Sequence, residues 1–158
     1  MKVRVVGLGN TILRDDGVGI HVARSVAACL ARAAPGIEVD VVEAETAGFA
    51  LLELLEGWDR VVVVDAVTLD GLAPGEVVRM DLGSFRPSLR LSSVHEIDLP
   101  TALALGERLG RRMPSDVRVV GIQAGDLSTF GEDLTPAVAA AVPRAVEAVL
   151  DLLSAAPR

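Results

Sequence analysis

Four consecutive valines at positions 61–64, followed by Asp65, constrain the fold more than any other stretch of the chain. β-Branched side chains favour extended backbone, and a run without polar alternation suits a strand buried on both faces, the central strand of a helix-covered parallel sheet. The flanking pattern agrees. Strand-like segments at 3–7, 37–43, 76–80 and 116–123 alternate with helix-like segments at 17–34, about 48–55, 99–112 and from 136 onward. In 37–43 the residues Ile37, Val39 and Val41 share one face. Pro35-Gly36 closes the first helix, Asp98 and Pro100 start the third, and Thr135 with Pro136 starts the last, where Pro143 is expected to kink or break it. The link from Asp65 to the strand at 76–80 is too short for a helical crossover, so that strand is expected at an antiparallel edge. The expected fold is a three-layer α/β/α sandwich with about five mostly parallel strands and one antiparallel edge strand. One domain over residues 1–153 is expected to carry it, with a frayed tail at 154–158.

Composition excludes several functions. The net charge is −7, with 22 acidic against 15 Lys and Arg residues, which opposes nucleic acid as a partner. Three Phe, one Trp and no Tyr supply little for base stacking. No uncharged apolar run reaches the length of a membrane span, and the first residues read as a strand, not as a signal peptide. The one cysteine, Cys29, lies in a helical pattern, reads as a small core residue, and fits a cytoplasmic setting. Arg108, Arg111 and Arg112 read as a solvated helix terminus.

Chemistry is expected at the carboxyl ends of the strands, where open α/β sheets bind ligands. The first strand leads into Gly7-Leu8-Gly9-Asn10-Thr11-Ile12-Leu13-Arg14-Asp15-Asp16-Gly17-Val18-Gly19. Asp16 follows the first strand, Asp65 closes the valine strand, and His95 lies between the edge strand and the next helix. Two carboxylates and an imidazole suit nickel or zinc, and can equally serve as acids and bases. Each has a plainer use. Asp15 or Asp16 can cap a helix, Glu96 and Asp98 can cap the helix that starts beside them, and His95 can be an ordinary loop residue. Asp65 is harder to dismiss, because a carboxylate at the end of a buried strand needs a partner. His21 reads as solvated. Glu43, at the end of the second strand, is a weaker candidate for contact with substrate or support of the site. Ile12 stands where a dinucleotide fingerprint needs its third glycine, and neither a Walker sequence nor a Gly-x-Ser-x-Gly elbow occurs.

The opening motif, from Gly7-Leu8-Gly9-Asn10 to Asp15-Asp16-Gly17-Val18-Gly19, resembles that of the nickel–iron hydrogenase maturation endopeptidases. The likeness continues at Glu43-Ala44-Glu45-Thr46-Ala47-Gly48, Val64-Asp65-Ala66, Ser93-Val94-His95-Glu96, Val120-Gly121-Ile122-Gln123 and Leu134-Thr135-Pro136-Ala137-Val138. These matches are collinear and specific as a set. Glu45 departs from a glycine frequent in the family, and Glu43 stands where many members have aspartate. The resemblance implies an aspartic-type endopeptidase that removes the C-terminal extension of a hydrogenase large-subunit precursor after nickel insertion. It also implies that Asp16, Asp65 and His95 contact nickel carried by that precursor. Gly9, Asn10, Asp15 and Glu43 are then expected to touch substrate or support the trio. Two rivals stay open at this point. Peptidyl-tRNA hydrolases also open with a strand and Gly-Leu-Gly-Asn, although their Pro-Gly continuation is absent here. A metal- or nucleotide-binding chaperone could use the same scaffold.

Overall fold

The computed structural model of the chain describes residues 1–32, 36–45, 49–81 and 99–155. The strands are β1 (Lys2–Leu8), β2 (Glu38–Ala44), β3 (Arg60–Val67), β4 (Val77–Asp81) and β5 (Asp116–Gln123). The helices are α1 (Val18–Leu30), α2 (Phe49–Leu55), α3 (Leu99–Arg108) and α4 (Pro136–Ser154), with a 3-10 turn at Arg14–Gly17 before α1. The five strands form one sheet in the order β2-β1-β3-β5-β4. All neighbours are parallel except β4, which runs antiparallel to β5 at the edge.

Every residue of β3 is buried, as the valine run requires of a central strand. Its side chains alternate between two cores. Val62 and Val64 join Val3 and Val5 of β1 beneath α1 and α4, where Val18, Val22, Val26, Val138 and Val149 are buried. Val61 and Val63 join Val6 and Leu8 beneath α2 and α3, where Leu52, Leu55, Leu99 and Leu103 are buried. The result is the expected three-layer sandwich.

Several local expectations are corrected. Asp65 does not close its strand, because β3 continues to Val67 in register with Gln123. Helix α3 stops at Arg108, and Gly110 adopts φ 71°, a left-handed backbone that ends a helix at low cost. Its following arginines are partly paired: Arg111 meets Glu56 at 3.1 Å, and Arg112 meets Asp59. Helix α4 runs unbroken through Pro143. Pro143 and Ala139 are both exposed, so the carbonyl left without its helical donor is on the solvated face. Cys29 is exposed, because the apolar stripe Val18-Val22-Val26 turns away from it. Ser154 is still helical and the Ala155 carbonyl is hydrogen-bonded by Arg60, so the chain stays docked beyond residue 153. Residues 156–158 lie outside the described residues. Among the described residues, no helix is long and apolar enough to cross a membrane.

Candidate functional site

From β1 the chain first turns to β2 on one side and then crosses to β3 on the other. In open α/β sheets the carboxyl ends of the two strands flanking such a reversal, here β1 and β3, are the usual position for a ligand. Helix α1 is seated directly on these strand ends. A Cβ at Gly19 would lie 2.2 Å from the Leu8 carbonyl oxygen and 2.3 Å from that of Val64, so only glycine permits the approach. Gly9 has φ 147°, and a Cβ there would lie 1.9 Å from the Asp16 carbonyl oxygen. Gly9 thus lets the loop after β1 fold back onto the turn that bears Asp16, and its N–H donates to the Ala44 carbonyl at 3.1 Å. Its place in the motif is explained by backbone packing.

Asp16 is half-buried in the 3-10 turn. The Asn10 N–H donates to its Oδ2 at 3.1 Å, while the Asn10 side-chain oxygen accepts from the Ile12 N–H at 3.1 Å. Asn10 therefore folds the loop and orients the carboxylate without neutralising it. Asp65 lies on β3, level with Gly121 of β5 and one residue past the Val64–Gly7 pair. By alternation with Val61 and Val63 it belongs to the face covered by α2 and α3. It is 1% exposed, and its Oδ1 accepts from the Ala66 N–H at 2.8 Å. The strand thus carries it below the surface. The 3-10 turn packs against β3, so both aspartates belong to the same edge of the sheet. His95 lies outside the described residues, as do Glu96 and Asp98. Among the described residues, no group of three or more His, Cys, Asp or Glu side chains is arranged to hold a metal ion.

Asp15 does different work from its neighbour. It is fully buried, and its Oδ2 accepts from the N–H groups of Gly125 and Asp126 and from the Thr135 hydroxyl, each at 2.8 Å. Its Oδ1 accepts from the Thr135 N–H at 2.7 Å. Asp15 thereby pins the loop after β5 and the start of α4 to the turn that carries Asp16. Thr135, expected to cap α4 with its side chain, gives its hydroxyl to Asp15 instead. The same loops are joined again at Arg14, whose φ is 45° and whose N–H donates to the Gly131 carbonyl at 2.8 Å. Asp126 closes the loop: the Thr129 hydroxyl and the Thr129 and Ser128 N–H groups lower its carboxyl to about 2, with a smaller part from Arg14. Sequence reasoning missed this clamp. Its only local signal is the adjacency of two acids, of which a single 3-10 turn can aim only one at a given place.

Glu43 holds Arg24 through two bonds of 2.9 Å, an exposed bidentate pair linking β2 to α1. The bond and charge of Glu43 raise the Arg24 pKa above its ordinary value. His21 is partly exposed on α1.

The hydrogenase maturation protease (HycI) family matches residues 20–152. The hydrogenase expression/formation protein HupD of Rhodobacter capsulatus is 32% identical over 155 residues, spanning 96% of this chain and 71% of that protein. The coenzyme F420 hydrogenase subunit delta of Methanothermobacter thermautotrophicus is 28% identical and spans 95% of this chain and 93% of its own. Among solved structures, the [NiFe] hydrogenase maturation protease HybD of Thermococcus kodakarensis superposes with a TM-score of 0.69 at 29% identity, covering 97% of this chain and 99% of that one. The Escherichia coli endopeptidase HybD, at 24% identity and a TM-score of 0.72, shares the fold. These matches favour a peptidase over the peptidyl-tRNA hydrolase and chaperone readings. The chain belongs to the hydrogenase maturation protease family, and its activity is that of a peptidase.

Proposed function

We propose that this peptidase removes the C-terminal extension of a nickel–iron hydrogenase large-subunit precursor once nickel is in place. Asp16, Asp65 and His95 are the residues proposed to contact that nickel. The observation that carries the reading is that two carboxylates belong to the carboxyl edge of the sheet, Asp16 in the turn after β1 and Asp65 on β3, in a chain of this family. Oxygen and imidazole donors suit a borderline divalent ion. The ion is cargo of the substrate. By completing its coordination, the trio would hold the scissile peptide in register, a proximity effect. Burial of Asp65 favours such an encounter, because a carboxylate in a low-dielectric setting gains more from an arriving cation than an exposed one does. A carboxylate beside the scissile bond can then assist a water in attacking it. Asn10 supports Asp16, and Asp15 fixes the turn behind it. A cytoplasmic site of action fits this substrate.

The test pairs nickel-free and nickel-loaded precursor with purified wild-type protein and His95→Ala. Wild type is expected to cut only the loaded form, and His95→Ala to lose most of that cutting. Equal cutting of both forms by the wild type would remove nickel as the recognition signal. Normal, selective cutting by His95→Ala would remove His95 from the trio.

A further inference from the structure

Four large apolar side chains stand exposed among the described residues: Met1, Ile12, Leu109 and Phe130. The fold brings two of them together. Ile12 is 50% exposed and Phe130 81%, and each directly precedes one partner of the isolated parallel bridge between Leu13 and Gly131. The Gly131 N–H donates to the Ile12 carbonyl at 2.9 Å. Neither loop is loosely held. Asp15 grips the 125–126 backbone and Thr135, and Asp126 Oδ1 accepts from the Ser128 and Thr129 N–H groups at 3.0 Å each. Phe130 is therefore an aromatic ring presented to solvent on a fixed loop, four residues after Asp126 and tied through the bridge to the turn that bears Asp16. Rigid exposed aromatics lose little conformational entropy on binding, which is why they anchor interfaces. The next two residues, Glu132 and Asp133, are exposed, and their carboxylates have no ion-pair partner among the described residues.

We propose that Ile12 and Phe130 form a docking surface for the precursor polypeptide at the mouth of the candidate site, taking an apolar side chain flanked by a basic residue. This rests on the reading above and names how the substrate is held away from the bond that is cut. The acidic flank selects the basic neighbour. It also disfavours a second copy of this chain as occupant, since the copy brings the same two carboxylates and a net charge of −7.

The experiment is steady-state processing of nickel-loaded precursor, with size-exclusion chromatography of each variant. Ile12→Ala/Phe130→Ala is expected to raise KM about tenfold with kcat retained, as for loss of an anchor that binds ground and transition states alike. Glu132→Lys/Asp133→Lys should raise KM less. Leu109→Ala removes an exposed apolar side chain just beyond the end of α3 and should leave both constants unchanged. An unchanged KM in the double alanine variant, a loss confined to kcat, or an altered oligomeric state with unchanged KM would overturn the proposal. Where wild type cuts and the double variant cuts with the same KM, the docking surface alone fails. Failure of the wild type to cut loaded precursor would take down the proposed function, and this inference with it.

Discussion

At the amino edge of the sheet, Arg60 is buried with its Nε on Asp116 at 2.7 Å and its Nη1 on the carbonyls of Leu152 and Ala155 at 2.7 and 2.9 Å. Arg118 holds the other oxygen of Asp116, and Arg112 meets Asp59. At the carboxyl edge, Asp15 and Asp16 are held by backbone N–H groups and a hydroxyl. Both arrangements satisfy the carboxylates' hydrogen bonding. A guanidinium also cancels the charge, whereas a neutral donor aims the carboxylate and leaves its charge for something else to meet. The amino edge is built to close α4 onto the sheet, and the turn after β1 to keep the negative charge of Asp15 and Asp16 fixed in place.

The largest test of this contrast is neutralisation at the carboxyl edge. Asp16→Asn and Asp65→Asn are each expected to cut processing of loaded precursor by more than about a hundredfold. Folding should be nearly unchanged. Asparagine keeps an oxygen for the Asn10 or Ala66 N–H, and removing a buried charge carries no desolvation penalty. A cleavage assay beside a denaturant melt reads both. Normal cleavage by either variant would move that aspartate to a structural role.

Next comes the matched pair Asp15→Asn and Arg60→Leu. Each removes a buried charged group from several part-buried hydrogen-bond partners, at an expected cost of about 3 kcal/mol in unfolding free energy. In Asp15→Asn an amide NH2 would confront donors now facing an anion. The two should part in activity. Arg60→Leu should keep the wild-type rate per folded molecule, because it loosens only the far end of α4, whereas Asp15→Asn should lose rate because it frees the turn behind Asp16. Equal losses of rate in both would erase the distinction between the edges.

The smallest effect is a titration. The Asp126 carboxyl is lowered to about 2 by Thr129 and Ser128, with Arg14 adding less. A depressed folded value means that its stabilisation is fully present above the unfolded value near 4 and is lost as pH falls towards 2. Nuclear magnetic resonance titration of the Asp126 carboxyl should give a midpoint well below 4, and Asp126→Asn should flatten the acid limb of stability in that window. At the amino edge Asp116 is also lowered, although burial pushes it up, because Arg118 and Arg60 outweigh burial. A midpoint near 4 for Asp126 would mean that the loop bearing Phe130 is not held as described.

Much of this was legible without coordinates. The run at 61–64, the alternation of elements and the short link to the fourth strand determined a three-layer sheet with an antiparallel edge, since burial on both faces and loop length are local properties of sequence. The motif spacing led to Asp16 and Asp65 for a similar reason: each is tied to the end of a strand, and strand ends define the edge. What local pattern could not reveal was partnership. Whether Cys29 faced the core depended on where the stripe of α1 was aimed, and whether Pro143 broke α4 depended on which carbonyl water could reach. Glu43 found Arg24 only because β2 and α1 lie side by side. Above all, two adjacent aspartates look alike in a sequence. Tertiary structure alone separated them, since the donors that bury Asp15 come from Gly125, Asp126 and Thr135, more than a hundred positions away, while Asp16 stays half-buried with the Asn10 N–H. Chain order carries no record of such distances, and only packing of α4 against the sheet brings those groups to the turn.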